Sequence, residues 1–196
     1  MSGRNMKKGT TLFDVIFLLV FIAILAISLM IPLKSVKNKA LAIKCEANLA
    51  QIGKGFQVYL GYIGRHVRYP QANGEEFVVA LYKERILVEP QVYLCPGTQD
   101  SNNHGEDLAQ VQGEGDSDGP CSYAGRKNKN QSQYPGIFRL TEDTQTTPIV
   151  ADDWNDGFRE NHEFGEVVNF LFLDGHVDHA RTSKIDLSYF YDPLSN

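Results

Sequence analysis

Hydrophobic and polar positions divide the chain into three regimes. From Val15 to Leu33 there are 19 consecutive uncharged residues, nearly all Ile, Leu, Val, Phe or Ala. At about 1.5 Å per residue, a helix of that length matches the hydrocarbon core of a bilayer, so the run reads as one membrane-spanning helix. Pro32 removes a backbone donor and is expected to loosen its far end. Beyond Leu33 the pattern turns amphipathic. Val36, Ala40, Ile43 and Ala47, then Ile52, Phe56, Tyr59 and Ile63, recur at spacings near three and four, with charged residues mostly between them. One helix is therefore predicted from about Leu12 to about Leu60. Gly53, Gly55 and Gly61 weaken its last turns, and Gly64 or Tyr69-Pro70 ends it.

The third regime mixes short elements. Glu75 to Leu87 reads as a second helix with Phe77, Leu81 and Ile86 or Leu87 on its buried stripe. Val88 to Cys95 reads as extended and stops at Pro96-Gly97. Residues 98–133 are rich in Asp, Asn, Gly, Ser and Gln and read as a long surface loop with little core. Strand patterns return at Gly136 to Leu140, Pro148 to Ala151 and Val167 to His179. The last is broken by Asp174-Gly175, a two-residue hairpin turn whose glycine readily takes positive φ. The predicted class is α+β, a long N-terminal helix packed on a small antiparallel sheet. Residues 10–33 form its membrane half, 34–64 its amphipathic continuation and 65–196 the soluble head.

Composition adds limits. The 196 residues, 42% hydrophobic and 22% charged, suit one domain with an appendage. With 19 Lys+Arg against 24 Asp+Glu, the net charge of −5 gives no general attraction for phosphate backbones, so nucleic acid is not expected as the main partner. A cleaved secretory signal is the rival reading of the apolar run, but signals usually carry only about 7–15 apolar residues before a small-residue cut. Arg4, Lys7 and Lys8 precede the span and Lys34, Lys37, Lys39 and Lys44 follow it, so charge does not orient it. Asp14 stands at the apolar edge beside Phe13 and Val15. A carboxylate there is either wetted by headgroups or has a specific cationic partner.

The segment Lys7-Lys8-Gly9-Thr10-Thr11-Leu12-Phe13-Asp14-Val15 resembles the leader and cleavage site of type IV prepilins and type II secretion pseudopilins. The resemblance implies a leader of residues 1–9, cut by a prepilin peptidase between Gly9 and Thr10, with N-methylation of Thr10. Thr10 stands where the family usually has phenylalanine, and Asp14 where it usually has glutamate. Asp14 would pair with the new α-amino group of a neighbouring subunit, so that neither charge is left alone in a dry helix bundle. Cys45-Glu46-Ala47-Asn48-Leu49-Ala50-Gln51-Ile52-Gly53 resembles the Cys-x-x-Asn-Leu-x-Gln-Ile-Gly stretch of a prepilin-like family ending in an Asp-Gly-His-Val hairpin. Leu94-Cys95-Pro96, Ser122-Tyr123, Ala151-Asp152, His162 and Asp174-Gly175-His176-Val177 follow in that family's order. The gap from His162 to Asp174 is two residues longer than the family's, which preserves strand alternation.

Other chemistry is weighed against plainer readings. Asp174, His176, Asp178 and His179 come close to a hydrolase zinc motif, but Asp174 replaces its first histidine, and a tight turn explains Asp174-Gly175 fully. His162-Glu163-Phe164-Gly165-Glu166 lacks the second histidine of the metalloprotease signature. Asp152, Asp153 and Asp156 make an oxygen-rich loop of the kind that suits calcium, which some pseudopilins use in a late loop. A solvated acidic turn is the plainer reading, since EF-hand spacing is absent. Cys95 and Cys121 bracket the long loop, and a disulfide between them would contribute roughly 3 kcal/mol by loop closure. Cys45 lies on the helix, where the resembled family often has cysteine, so the resemblance implies Cys45–Cys95 as the rival pairing, and free buried thiols are the third reading.

The expected function is a structural subunit, not an enzyme. For this subunit the resemblance implies insertion in the inner membrane as a precursor, with a cytoplasmic N-terminus and a periplasmic or extracellular head. Its expected partners are the peptidase, lipid, the inner-membrane assembly machinery and other pilin copies in a filament. A membrane-anchored binding module that never polymerises is the alternative, and a tethered hydrolase using His162, Asp174 and His176 is the third.

Overall fold

The computed structural model describes residues 12–66, 68–98, 100–113, 119–126, 145–152, 167–181 and 194–195, the side chains of 29–35 and 194–195 excepted. The first helix, α1, runs Leu12–Tyr62, two residues past its predicted end. The chain divides into compact units Met1–Lys37 and Asn38–Asn196.

In the first unit every described side chain from Leu12 to Ser28 is exposed, including Leu12, Phe13, Ile16, Phe17, Leu19, Val20 and Ile24. Ser28 satisfies its hydroxyl by donating to Ile24 O at 2.8 Å. Among the described residues no helix is long and apolar enough to cross a membrane. The apolar run of the sequence continues past Ser28 into side chains outside the description.

In the second unit α1 buries a stripe of Cys45, Leu49, Ile52, Phe56 and Leu60, at spacings of four and three. This corrects the predicted stripe. Ile52 and Phe56 belong to it, but Val36, Ile43 and Ile63 are exposed. The early residues follow a phase that ends at Ala47, and the core takes the phase that starts at Cys45. Helix α2, Gly74–Lys83, buries Phe77, Val78, Val79 and Leu81. It is shorter than predicted because Arg85 takes φ 57° and the amides of Ile86 and Leu87 turn back to Leu81 O. Phe56, Phe77 and Tyr69 pack ring to ring at centroid distances of 4.8 to 6.2 Å.

The segment predicted as extended contains a 3₁₀ turn, Pro90–Tyr93, started by the fixed φ of Pro90. The predicted surface loop is also corrected in part. It carries a 3₁₀ turn, Leu108–Gln110, and strand β1, Tyr123–Arg126. Leu108, Val111, Cys121 and Tyr123 are in the core, so sparse apolar residues in a polar segment are enough to pin it. Lys83 holds the far end of this segment, donating to Val111 O and to Glu76 at 2.9 Å.

The other strands are β2, Pro148–Asp152; β3, Val167–Phe172; β4, Val177–Arg181; and the two-residue β5, Leu194–Ser195. Spatial order is β4-β3-β2-β1-β5, and every neighbouring pair is antiparallel. The class is α+β, as predicted. One sheet face joins α1 and α2 through Tyr123, Val150 and Leu171, while Ala124, Ala151, Val168, Phe170 and Phe172 form a second apolar cluster. The hairpin β3–β4 forms, but its strands part at Phe172 and resume at Val177, a four-residue connection rather than two. Gly175 takes φ +93° there. The strand predicted at 136–140 lies outside the described residues.

The glycines in α1 do more than weaken it. A Cβ on Gly53 would meet Leu171 Cδ1 at 2.8 Å, and one on Gly55 would meet Leu81 Cδ1 at 2.9 Å. Their absent side chains let β3 and α2 approach the helix closely. Gly53→Leu is therefore expected to cost about 1–3 kcal/mol by overpacking. Gly61→Ala, whose Cβ meets nothing within 4 Å, should gain up to about 0.5–1 kcal/mol through the unfolded chain. Guanidinium unfolding followed by circular dichroism reads both, and equal effects at the two sites would refute the close-approach role of Gly53.

Candidate functional site

Sheet register builds a row of polar side chains under α1. Tyr123 on β1 stands opposite Asp152 on β2, and Ala151 opposite Phe170 sets Asp152 beside Asn169 on β3. All three residues are at least 98% buried. Facing them is Cys45, the first residue of the α1 stripe. Its thiol donates to Asp152 Oδ1 at 2.6 Å and lies 3.4 Å from the Tyr123 hydroxyl. Asp152 Oδ2 accepts from Asn169 twice, from the amide N at 3.0 Å and from Nδ2 at 2.8 Å. Cys95 completes the cluster, with ligand atoms of Cys45, Cys95 and Asp152 all within 4.8 Å of one another.

The chain brings Cys95 there through the 3₁₀ turn at Pro90. Asn48, one turn along α1 from Cys45, donates Nδ2 to Leu94 O at 3.0 Å, and Ser122 N donates to Tyr93 O at 2.8 Å. Burial, then the hydrogen bond with Cys95 and the charge of Asp152, push the Cys45 thiol well above its ordinary pKa. Burial, then the electrostatic influence of Cys45, Cys95 and Asp152, push the Tyr123 phenol up as well. The cluster therefore holds Cys45 and Tyr123 protonated, with the Asp152 carboxyl taking hydrogen bonds from Cys45 and from both N–H groups of Asn169.

Cys45, Cys95 and Cys121 are all buried, with no disulfide among them. The expected Cys95–Cys121 bond is not formed. Cys121 directs its Sγ toward Tyr123 O at 3.8 Å, and its amide donates to the buried Glu75 at 2.9 Å. Of the residues expected to favour calcium, Asp152 turns both oxygens into the core cluster, while Asp153 and Asp156 lie outside the described residues. His162 also lies outside them, as do Gly9 and Thr10. Among the described residues, Cys45, Cys95 and Asp152 form the one group of three with metal-ligand chemistry. Asp174, His176, Asp178 and His179 make no such group.

At the hairpin, Asp174 Oδ1 accepts from the His176 amide at 3.0 Å and lies 2.5 Å from its Nδ1. The His176 ring stacks on Phe172 at 4.4 Å. These contacts fix the turn and account for the Asp-Gly-His sequence structurally. Asp14 sits in the first turn of α1, where the helix dipole favours a carboxylate, among exposed apolar side chains. A groove of about 210 Å³ lies between α1 and the β3–β4 edge, lined by Lys39, Ala42, Ile43, Glu46, Val167, Asn169, His179 and Arg181. Ile43, one of the apolar residues left out of the core stripe, lies on its wall.

In comparisons with family models, curated proteins and solved structures, nothing matched the chain.

Sequence reasoning missed Tyr123 and Asn169 as partners of Asp152. The available signal was a polar residue inside each apolar strand, Asn169 between Val168 and Phe170 and Asp152 after Ala151.

Two tests follow from these contacts. Asn169→Leu removes one donor to the buried carboxylate and is expected to cost about 1.5–3 kcal/mol, whereas Tyr123→Phe should stay within about 1 kcal/mol. Chemical denaturation measures both, and the reverse ranking would refute this assignment of donors. At the hairpin, partial burial opposes ionisation of Asp174, but the His176 amide and ring outweigh it and hold the carboxyl below its ordinary pKa. A depressed folded-state pKa stabilises above the unfolded value, and that stabilisation fades as pH falls through the folded one. The melting-temperature difference between the wild type and Asp174→Asn should thus be largest near neutral pH and shrink below about pH 4.

Proposed function

We propose that this chain is a prepilin-like structural subunit, cut by prepilin peptidase between Gly9 and Thr10 and assembled through α1 into a type IV pilus or a type II secretion pseudopilus. The observation that carries the reading is the division of labour along one helix. Leu12 to Ser28 expose apolar side chains on every side, while Cys45 to Leu60 bury one stripe in the head. A helix that is apolar all round needs lipid or other helices around it, and a precursor stored in the membrane before assembly meets both in turn.

The leader-like Lys7-Lys8-Gly9-Thr10 sequence ahead of α1 adds support. Before processing the N-terminus is cytoplasmic, α1 crosses the inner membrane, and the head lies on the far side. After processing, Thr10 carries the new α-amino group and its methylation. Asp14 of one copy then pairs with that amine of the next, setting axial register while neutralising two charges that would each be costly in a dry bundle. The partners are the peptidase, the inner-membrane assembly machinery, lipid and further pilin copies. The head coats the filament, with no metal or nucleic acid required for this role. The groove beside Ile43 favours one second reading, a membrane-anchored binding module that does not polymerise.

Intact mass and N-terminal sequencing of the protein from its native membrane separate the two readings. The pilin reading expects a chain starting at Thr10, with or without one methyl group, and a full-length chain in Gly9→Val. Asp14→Ala should leave processing and the head fold intact while lowering filament incorporation by 10-fold or more, as the loss of a buried charge pair implies. A native chain that keeps residues 1–9 supports the binding module instead.

A further inference from the structure

The polar cluster beneath α1 has a use that filament assembly does not explain. We propose that Cys45 and Cys95 are a thiol pair that closes to a disulfide tying α1 to the head, with Asp152 as proton acceptor for Cys45. The two sulfurs and the carboxylate lie within 4.8 Å of one another, and the Cys45 thiol is aimed at Asp152 Oδ1 at 2.6 Å. Asn169 holds the other Asp152 oxygen with two N–H groups. The carboxylate thus keeps its place whether Cys45 is a thiol or half of a disulfide. Asn48 fixes the Leu94 carbonyl beside Cys95, so the helix and the loop are held together before any covalent bond forms.

The oxidant is a disulfide, RSSR, of a thiol oxidase or of a small thiol such as glutathione. Both cysteines are at most 2% exposed in the closed head, so the first exchange precedes closure. The Cys95 thiolate attacks RSSR, forming Cys95–S–S–R and releasing RS⁻, which takes up the proton that Cys95 lost. As α1 docks on the sheet, Cys45 passes its proton to Asp152 and attacks the Cys95 sulfur. The Cys45–Cys95 bond forms, the second RS⁻ leaves, and it takes the proton from Asp152. Two thiols are oxidised and one RSSR is reduced to two RSH. A base is needed in this second step because burial keeps Cys45 protonated. The inference rests on the head's geometry. The pilin reading supplies only the oxidising compartment, and in-vitro refolding tests the pair without it.

The full chain is extracted from its native membrane and denatured in guanidinium with an alkylating reagent before any reductant. The expected result is one alkylated cysteine, Cys121, a cross-linked Cys45–Cys95 peptide, and three alkylated cysteines after reduction. Three alkylated cysteines without reduction, with or without an equivalent of zinc in the native protein, overturn the proposal, as does a Cys95–Cys121 cross-link. For Asp152, the reduced full chain is refolded in detergent with oxidised glutathione and the decay of the Cys95 mixed disulfide is followed. Asp152→Asn should slow that decay by 10-fold or more near pH 7, with recovery as the pH is raised and hydroxide replaces the carboxylate. An unchanged rate, or a loss that higher pH does not rescue, removes Asp152 from the proton transfer.

Discussion

Everything in the head depends on one constraint: the stripe from Cys45 to Leu60 on α1 has to leave water, and it does so against a sheet whose facing side is not wholly apolar. Leu49, Ile52 and Phe56 meet apolar partners in the same cluster as Leu171, Phe77 and Leu81. Cys45 meets a carboxylate instead. A bare carboxylate in such a place would cost several kcal/mol. The fold avoids this by aligning three strands so that Asn169 supplies two donors and Cys45 a third. Strand register and helix phase are therefore coupled. A slip of one residue in β2 or β3 would turn Asp152 or Asn169 to the other face and leave the remaining groups unsatisfied.

That coupling explains why loops with little apolar content are ordered where they touch the cluster. Leu94 and Tyr93 are held through their carbonyls by Asn48 and Ser122, and Cys121 through its amide by Glu75. Each tie satisfies a backbone group that the approach of α1 would otherwise desolvate. The same close approach calls for Gly53 and Gly55, which give up intrinsic helix stability so that Leu171 and Leu81 can lie against the helix axis.

The N-terminal part of α1 follows a different rule. Its side chains from Leu12 to Ser28 have no preferred buried face, and so they carry no information about a partner within the chain. Asp14 is the one charged group among them; under the proposed pilin reading their partners are hydrocarbon and copies of the same helix. A filament of such helices would make the energetics of assembly and of membrane storage nearly the same, with the carboxylate deciding which neighbour fits.

Local pattern fixed a good deal of this molecule. The apolar run, the long helix, the α+β class, β2 and the β3–β4 hairpin all follow from period, length and turn chemistry, which are properties of neighbouring residues. The helix phase did not follow, because two apolar stripes coexist in α1, and only contact with the sheet selects the one through Cys45. Strand β1 and the core roles of Leu108 and Val111 were hidden in a polar segment, since a few apolar residues held by distant partners leave no periodic trace. The site was the least legible part. Cys45, Cys95, Tyr123, Asp152 and Asn169 are scattered over five segments, and the loop between Cys95 and Cys121 made that pair the expected one, with Cys45–Cys95 only its rival. Which thiol meets which, and whether an aspartate faces calcium or sulfur, is decided by strand register and helix docking, because those long-range contacts alone set the distances on which bonds depend.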